Sequence, residues 1–248
     1  MNLRRYGSGP VRLVLLHGFT GTGESFAQLP LDDRFTVLAP DLPGHGLSEP
    51  ATTWDDCLHA LEPLVTPETV LAGYSMGARL ALALALRKSP ARLLLESGSP
   101  GLSGEDERRQ RRQDDEVQAR LLEEHGLLEF LGRWEASPIL SGLRELPKAA
   151  QAALRARRLA QNAPGLASAL RALGAGAQPS LWNQLQRLET PTLLVAGARD
   201  LKYAEIGRRM DALLPNATLH LVQRSGHTPH LERPADYAAL LNGNGGTP

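Results

Sequence analysis

Thr69-Val70-Leu71-Ala72-Gly73-Tyr74-Ser75-Met76-Gly77-Ala78, residues 69–78, decides the fold of this 248-residue chain. The first four residues are an apolar run of strand length, and residues 78–86 are an Ala- and Leu-rich run of helical length. Between them a G-x-S-x-G turn carries a serine at its tip. The glycines permit a sharp reversal, which leaves the serine strained with Oγ exposed. A helix starting there aims its free N–H groups at the same point and favours negative charge beside Ser75. The motif is short, so the rest of the chain has to supply its context.

A serine nucleophile in a strand–turn–helix setting needs an acid and a histidine later in the chain, in that order. Residues 192–196 read as a strand followed by Gly197-Ala198-Arg199-Asp200, and residues 217–222 read as the next, followed by Ser225-Gly226-His227. Asp200 and His227 then sit in loops at the C-terminal strand ends, the edge where an open parallel sheet binds ligands. Alone, Asp200 reads as a turn residue and His227 as a surface histidine. Together with Ser75 they read as a triad: Ser75 reacts, His227 is its base, and Asp200 fixes the His227 tautomer. A developing oxyanion also needs donors. The first strand, Val11–Leu16, ends in His17-Gly18-Phe19-Thr20-Gly21, so the backbone N–H groups of Phe19 and Met76 are the expected pair. His17 and His45, the latter in Asp41-Leu42-Pro43-Gly44-His45-Gly46, read as structural.

Composition narrows the class. Net charge is zero, with 27 basic and 27 acidic residues, so no nucleic-acid footprint is expected. No apolar run is long enough to span a membrane, and Val11–Leu16 is too short for a signal peptide, so a cytoplasmic protein is expected. The single Cys57 cannot form an internal disulfide and reads as a packing residue in a helix over residues 54–64. No metal-ligand spacing or phosphate-binding loop occurs, so neither metal nor cofactor is expected; His227 and His230 lack a surrounding carboxylate pattern.

Strand-length apolar runs at 11–16, 36–39, 69–72 and 92–96 alternate with helical patterns, and the alternation resumes at 192–196 and 218–222. That is a mostly parallel sheet covered on both faces. Residues 101–183 show only helical patterns, around 117–131, 148–162 and 165–173. They read as a helical cap on an α/β-hydrolase-fold core formed by residues 1–100 and 184–248. The Gly-rich end, residues 242–248, reads as frayed.

Of the basic residues 24 are arginine and 3 lysine. Arg79 lies four residues after Ser75 on an otherwise Ala/Leu helix, where side chains lean toward the helix N-terminus. It needs an acceptor, either a nearby carboxylate or a carboxylate of the substrate held by its fork. The cap supplies further arginines at 108, 109, 111, 112, 157 and 158. Two of these beside Arg79 would imply a ligand with several negative charges.

At these residues the chain resembles the 2-succinyl-6-hydroxy-2,4-cyclohexadiene-1-carboxylate synthases, the menaquinone-pathway family of the α/β-hydrolase superfamily. The likeness includes residues 16–21, Asp41-Leu42-Pro43-Gly44-His45-Gly46, Gly73-Tyr74-Ser75-Met76-Gly77-Ala78-Arg79, and Glu96-Ser97-Gly98-Ser99-Pro100-Gly101-Leu102. It continues through Gln178-Pro179-Ser180-Leu181, Gly197-Ala198-Arg199-Asp200-Leu201-Lys202-Tyr203 and Gly226-His227-Thr228-Pro229-His230. The resemblance implies a lyase. It eliminates pyruvate from an enolpyruvyl cyclohexene tricarboxylate, with Ser75, His227 and Asp200 supplying the base and no cofactor. It also implies substrate contacts from Tyr74, Arg79, Arg111, Trp134 and a third arginine, here Arg158, with Arg157 and Arg155 as competitors. Glu135, after Trp134, departs from the aromatic of some members: either it turns outward or the substrate differs. Ala78, where glycine is frequent, is a mild departure.

The same triad would serve a serine hydrolase of a carboxylated ester or a C–C bond, and a retained triad on a small-molecule receptor is the non-enzyme reading. The expected partner is a small polycarboxylate, with no nucleic acid or membrane, on a monomer or homo-oligomer.

Overall fold

The computed structural model describes residues 1–243. Seven strands form one sheet: β1 (Leu3–Tyr6), β2 (Val11–Leu16), β3 (Phe35–Pro40), β4 (Val70–Tyr74), β5 (Arg92–Glu96), β6 (Thr192–Gly197) and β7 (Ala217–Val222). Their order is β1-β3-β2-β4-β5-β6-β7. Every neighbouring pair is parallel except β1 with β3. β1 is an addition to the sequence reading. Leu3-Arg4-Arg5-Tyr6 is short and charged, and it forms by pairing its backbone with β3 at the sheet edge rather than by burying an apolar run.

The apolar runs become strands because both faces of the sheet are covered. Leu13, Val14, Leu15 and Leu16 are all fully buried, and they alternate: Val14 and Leu16 join one core, Leu13 and Leu15 the other. The first core is filled by α1 (Trp54–Leu61) and α2 (Met76–Lys88). Cys57 packs there, as expected from the sequence. The second core is closed by Tyr237 and Leu240 of the C-terminal helix.

Between β5 and β6 the chain is helical: α3 (Glu105–Glu135), α4 (Lys148–Leu159) and α5 (Ala163–Leu173). α3 is two helices joined at Gly126, whose φ of 77° breaks the run. Phe130, Leu166 and Leu170 give this segment its own small core, and Phe19 and Trp134 pack against it from the cavity side. Three helices complete the core: α6 (Leu201–Asp211), α7 (Pro229–Glu232) and α8 (Pro234–Leu241). Asn242 is not frayed; its side-chain oxygen accepts from Asp32 N at 3.2 Å. The rest of the stretch read as frayed, residues 244–248, lies outside the described residues.

The turn at Ser75 tolerates no side chain at its glycines. A Cβ on Gly77 would lie 2.1 Å from the Leu16 carbonyl oxygen, and one on Gly73 would lie 2.4 Å from the Gly77 oxygen. Both obstacles are backbone and cannot rotate away. Gly77→Ala is therefore expected to lower unfolding stability by about 3 kcal/mol or more, read by urea denaturation. A loss below about 1 kcal/mol would contradict the close packing of α2 on β2.

Candidate active site

β4 ends at Tyr74 and α2 begins at Met76, which leaves Ser75 at φ 51°, ψ −108°. A non-glycine residue in this region costs about 1–3 kcal/mol. The packing of Gly73 and Gly77 and the bond from Ser75 N to the Glu96 carbonyl, 2.8 Å, hold it there. Oγ faces His227 Nε2 at 3.2 Å, and His227 Nδ1 faces Asp200 Oδ2 at 2.7 Å. The carboxylate accepts only, so Nδ1 carries the proton and Nε2 is free to accept the Ser75 hydroxyl proton. Asp200 also caps α6: its Oδ1 accepts from Tyr203 N at 3.3 Å, which keeps the second oxygen aimed at His227. Ser75, Asp200 and His227, far apart in sequence, thus meet in hydrogen-bonding order.

The loop carrying His227 is held by a residue the sequence did not single out. Glu232 Oε2 accepts from Gly226 N at 2.7 Å, and Oε1 accepts from Thr228 N at 3.0 Å and from the Thr228 hydroxyl at 2.7 Å. One carboxylate clamps the backbone on both sides of His227. His230, beside it, donates from N and Nδ1 to buried Glu96 Oε1, at 3.0 and 2.8 Å.

The N–H groups of Phe19 and Met76 donate to no protein acceptor among the described residues. Met76 is the first residue of α2, so its N–H has no intrahelical acceptor. The Phe19 loop rests on His17, which is fully buried. His17 Nε2 accepts from Leu42 N at 2.9 Å, so Nδ1 holds the proton and donates to Gly18 O at 2.8 Å. His45 packs edge-on against His17 with centroids 5.0 Å apart and has the Pro43 carbonyl at 3.1 Å from Nδ1. Burial pushes the His17 pKa down to about 4 and that of His45 down to about 3, in the second case with help from His17.

Both histidines stay neutral in the fold at pH values where the unfolded chain protonates them. Stability is therefore complete above about pH 6.5 and is lost as pH falls through the window down to about 4 for His17 and about 3 for His45. His17 alone accounts for about 3 kcal/mol at pH 4. Urea denaturation at pH 7 and pH 4.5 is expected to show this fall; equal stabilities would mean that the imidazoles charge without cost.

A cavity of about 280 Å³ opens beside Ser75 and His227. Tyr74, Arg79, Arg111, Trp134 and Arg158 all line it. Trp134 stacks on Phe130 and meets Phe19 edge-on at 5.2 Å, so the Phe19 loop and α3 share one aromatic wall. Burial raises the Tyr74 phenol well above its ordinary pKa, so it stays a neutral donor.

The arginines differ in their partners. Arg79, 8% exposed, donates to Leu173 O at 2.6 Å, to Gln178 Oε1 at 3.1 Å and to Gly174 O at 3.5 Å. All three acceptors are neutral, so the carboxylate partner weighed from the sequence is not what holds it. Desolvation lowers the Arg79 pKa to about 10. Gln178 in turn donates to Ser99 O at 3.3 Å, which explains why the segments around Ser99 and Gln178 matter together.

Arg111 Nε donates to Asp115 at 2.8 Å. Arg158 bonds Glu135 at 3.1 Å, and Arg155 pairs with the other Glu135 oxygen. Arg155 and Arg157 do not line the cavity; Arg158 does. Glu135 does not line it either and is neutralised by two guanidinium groups, so it presents no bare carboxylate to a ligand. Lys202 and Tyr203, two and three residues after Asp200, also line the cavity and are site residues the sequence reading did not name. Their signal was the stretch Leu201-Lys202-Tyr203 directly after the triad acid.

The alpha/beta hydrolase family model matches residues 13–240. The chain is 34% identical over 245 residues to the putative 2-succinyl-6-hydroxy-2,4-cyclohexadiene-1-carboxylate synthase of Bacillus subtilis (strain 168), covering 93% of this chain and 88% of that protein. It is 32% identical over 238 residues to the synthase of the same name from Salmonella paratyphi C, covering 92% and 90%. Among solved structures, MenH from S. aureus superposes with a TM-score of 0.92 at 32% identity, covering 98% of this chain and 97% of that one.

Proposed function

The chain belongs to the alpha/beta hydrolase family and, within it, to the 2-succinyl-6-hydroxy-2,4-cyclohexadiene-1-carboxylate synthases, and from that premise we propose how its site performs a pyruvate elimination. The substrate is 2-succinyl-5-enolpyruvyl-6-hydroxy-3-cyclohexene-1-carboxylate, a tricarboxylate. The observation that carries this reading is Arg79: a buried cation with only neutral acceptors, in the same cavity as Ser75 and His227. An anionic ligand supplies the counter-charge that the protein does not.

In this mechanism the Ser75–His227 pair takes the ring proton next to the succinyl carbonyl, and that proton ends on His227 Nε2. Asp200 stabilises the resulting imidazolium. The electron pair moves toward the carbonyl oxygen, whose charge is received by the N–H groups of Phe19 and Met76. Collapse of the dienolate shifts the ring double bond, forms the second one and breaks the C–O bond to enolpyruvate. Enolpyruvate takes the proton and leaves as pyruvate. Arg79, Arg111 and Arg158 orient the three carboxylates, Tyr74 and Trp134 fix the ring, and residues 101–183 act as a cap that keeps water from the dienolate. No helix among the described residues is long and apolar enough to cross a membrane, and we place the protein in the cytoplasm.

The test is turnover with the enolpyruvyl substrate generated in situ, following pyruvate and the absorbance of the new diene, beside p-nitrophenyl acetate hydrolysis. Fast pyruvate release with feeble ester cleavage is expected. Efficient ester cleavage without pyruvate release would favour the serine-hydrolase alternative.

A further inference from the structure

Gln161 follows α4 and is 8% exposed. Its Nε2 donates to Gly21 O at 2.8 Å and to Thr20 O at 3.2 Å, and its Oε1 accepts from Gly46 N at 2.8 Å. Two carbonyls and one N–H permit only this orientation of the amide. The bonds cross from the helical segment to the loop that carries Phe19.

That loop needs external support. Thr20 has φ 65°, a left-handed conformation unfavourable for a β-branched residue. Thr20 is 3% exposed, so water does not compensate its carbonyl. His17 pins the loop at Gly18, before Phe19, and Gln161 pins it at Thr20 and Gly21, after Phe19. His17 lies within the loop's own stretch of chain. Gln161 comes from the segment that also carries Arg158, and Gln161 N donates to Arg158 O at 3.2 Å. The seat of an anion-binding arginine and the clamp on the oxyanion loop are therefore one piece of backbone.

We propose that Gln161 is a positioning residue, whose amide holds the loop so that the Phe19 N–H faces the developing oxyanion and ties that placement to the seat of Arg158. The inference rests on Phe19 N–H serving the oxyanion, as in the reading above, but not on the identity of the substrate. Gln161→Met keeps the side-chain length and removes all three hydrogen bonds.

The first probe is a small neutral fluorophosphonate. Ser75 Oγ bonds to phosphorus, fluoride leaves, the hydroxyl proton passes to His227, and the phosphoryl oxygen occupies the oxyanion site. Labelling of Q161M is expected to be about tenfold slower than wild type. With the enolpyruvyl substrate, Q161M is expected to lose kcat by a similar factor with KM within about twofold, since the loop acts on the transition state.

Should Q161M melt below the assay temperature, Gln161→Asn, which withdraws the amide by one methylene, carries the same comparison. Wild-type labelling rates in the folded variant would overturn the proposal. Failure of wild type itself to label would overturn the Ser75 and oxyanion assignment. Normal wild-type labelling without pyruvate release would overturn only the choice of substrate.

Discussion

Ser75→Ala is expected to lower kcat for pyruvate release about 10³-fold or more. The hydroxyl lies 3.2 Å from His227 Nε2, and Nε2 has Asp200 behind it at 2.7 Å from Nδ1. Removing Oγ breaks that chain at its reacting end and leaves the imidazole without a partner on the substrate side. Stability moves the other way or not at all. The strained φ of 51° is imposed by packing around Gly73 and Gly77 and by the bond to Glu96, not by the hydroxyl. A folded S75A protein with KM near wild type and a collapsed kcat is the expected pattern. A kcat within tenfold of wild type would mean that the proton is taken by another group.

Arg79→Ala is expected to lower kcat/KM for the tricarboxylate by about 3–4 kcal/mol, the range for deleting one partner of a buried ion pair, which is roughly 10²–10³-fold. The guanidinium is desolvated enough to bring its pKa down to about 10, and it is hydrogen-bonded only to Leu173 O, Gly174 O and Gln178. A cation held this way binds an anion strongly because little water has to be displaced from it. Arg79→Lys is expected to fall between the two, since the charge remains and the planar fork is lost. Stability should drop by only about 1–2 kcal/mol, because three neutral acceptors lose their donor. Unchanged kcat/KM in a folded R79A protein would make Arg79 a structural tie between α2 and the end of α5. An equal loss toward a small neutral ester would mean that the damage is to the triad rather than to anion recognition.

Much of this architecture is legible in the sequence, and the parts that are not have common causes. Residues 11–16 and 92–96 match β2 and β5 because strands buried on both faces are continuous apolar runs. Leu3–Tyr6 escapes that logic, since its pairing with β3 is made by backbone. The hydrogen-bonded set of Ser75, His227 and Asp200 is legible because each member lies in the turn or loop that follows a strand, and strand ends in a parallel sheet converge on one edge. The third cavity arginine is harder. Arg155, Arg157 and Arg158 share one helix, and only the packing of α4 shows that Arg158 turns inward while Glu135 binds both Arg155 and Arg158.

Glu135 read as an obstacle to an anionic ligand because its partners lie about twenty residues away on another helix. Gln161 and Glu232 carry no local signal at all. Glu232 matters because its carboxylate meets two backbone N–H groups across a turn, and Gln161 because it meets a loop 140 residues earlier in the chain. Apart from the Thr228 hydroxyl, backbone groups are the partners in both cases, and no pattern of side chains announces them.

The central claim is that this triad withdraws a carbon-bound proton instead of acylating Ser75. The most direct measurement is pyruvate formation in a single turnover, with substrate carrying deuterium on the ring carbon next to the succinyl carbonyl. The account predicts a several-fold slowing with the deuterated substrate and no covalent adduct on Ser75 by mass spectrometry during the turnover. Equal rates for the two substrates together with a Ser75 adduct would contradict it and identify the site as a nucleophilic hydrolase.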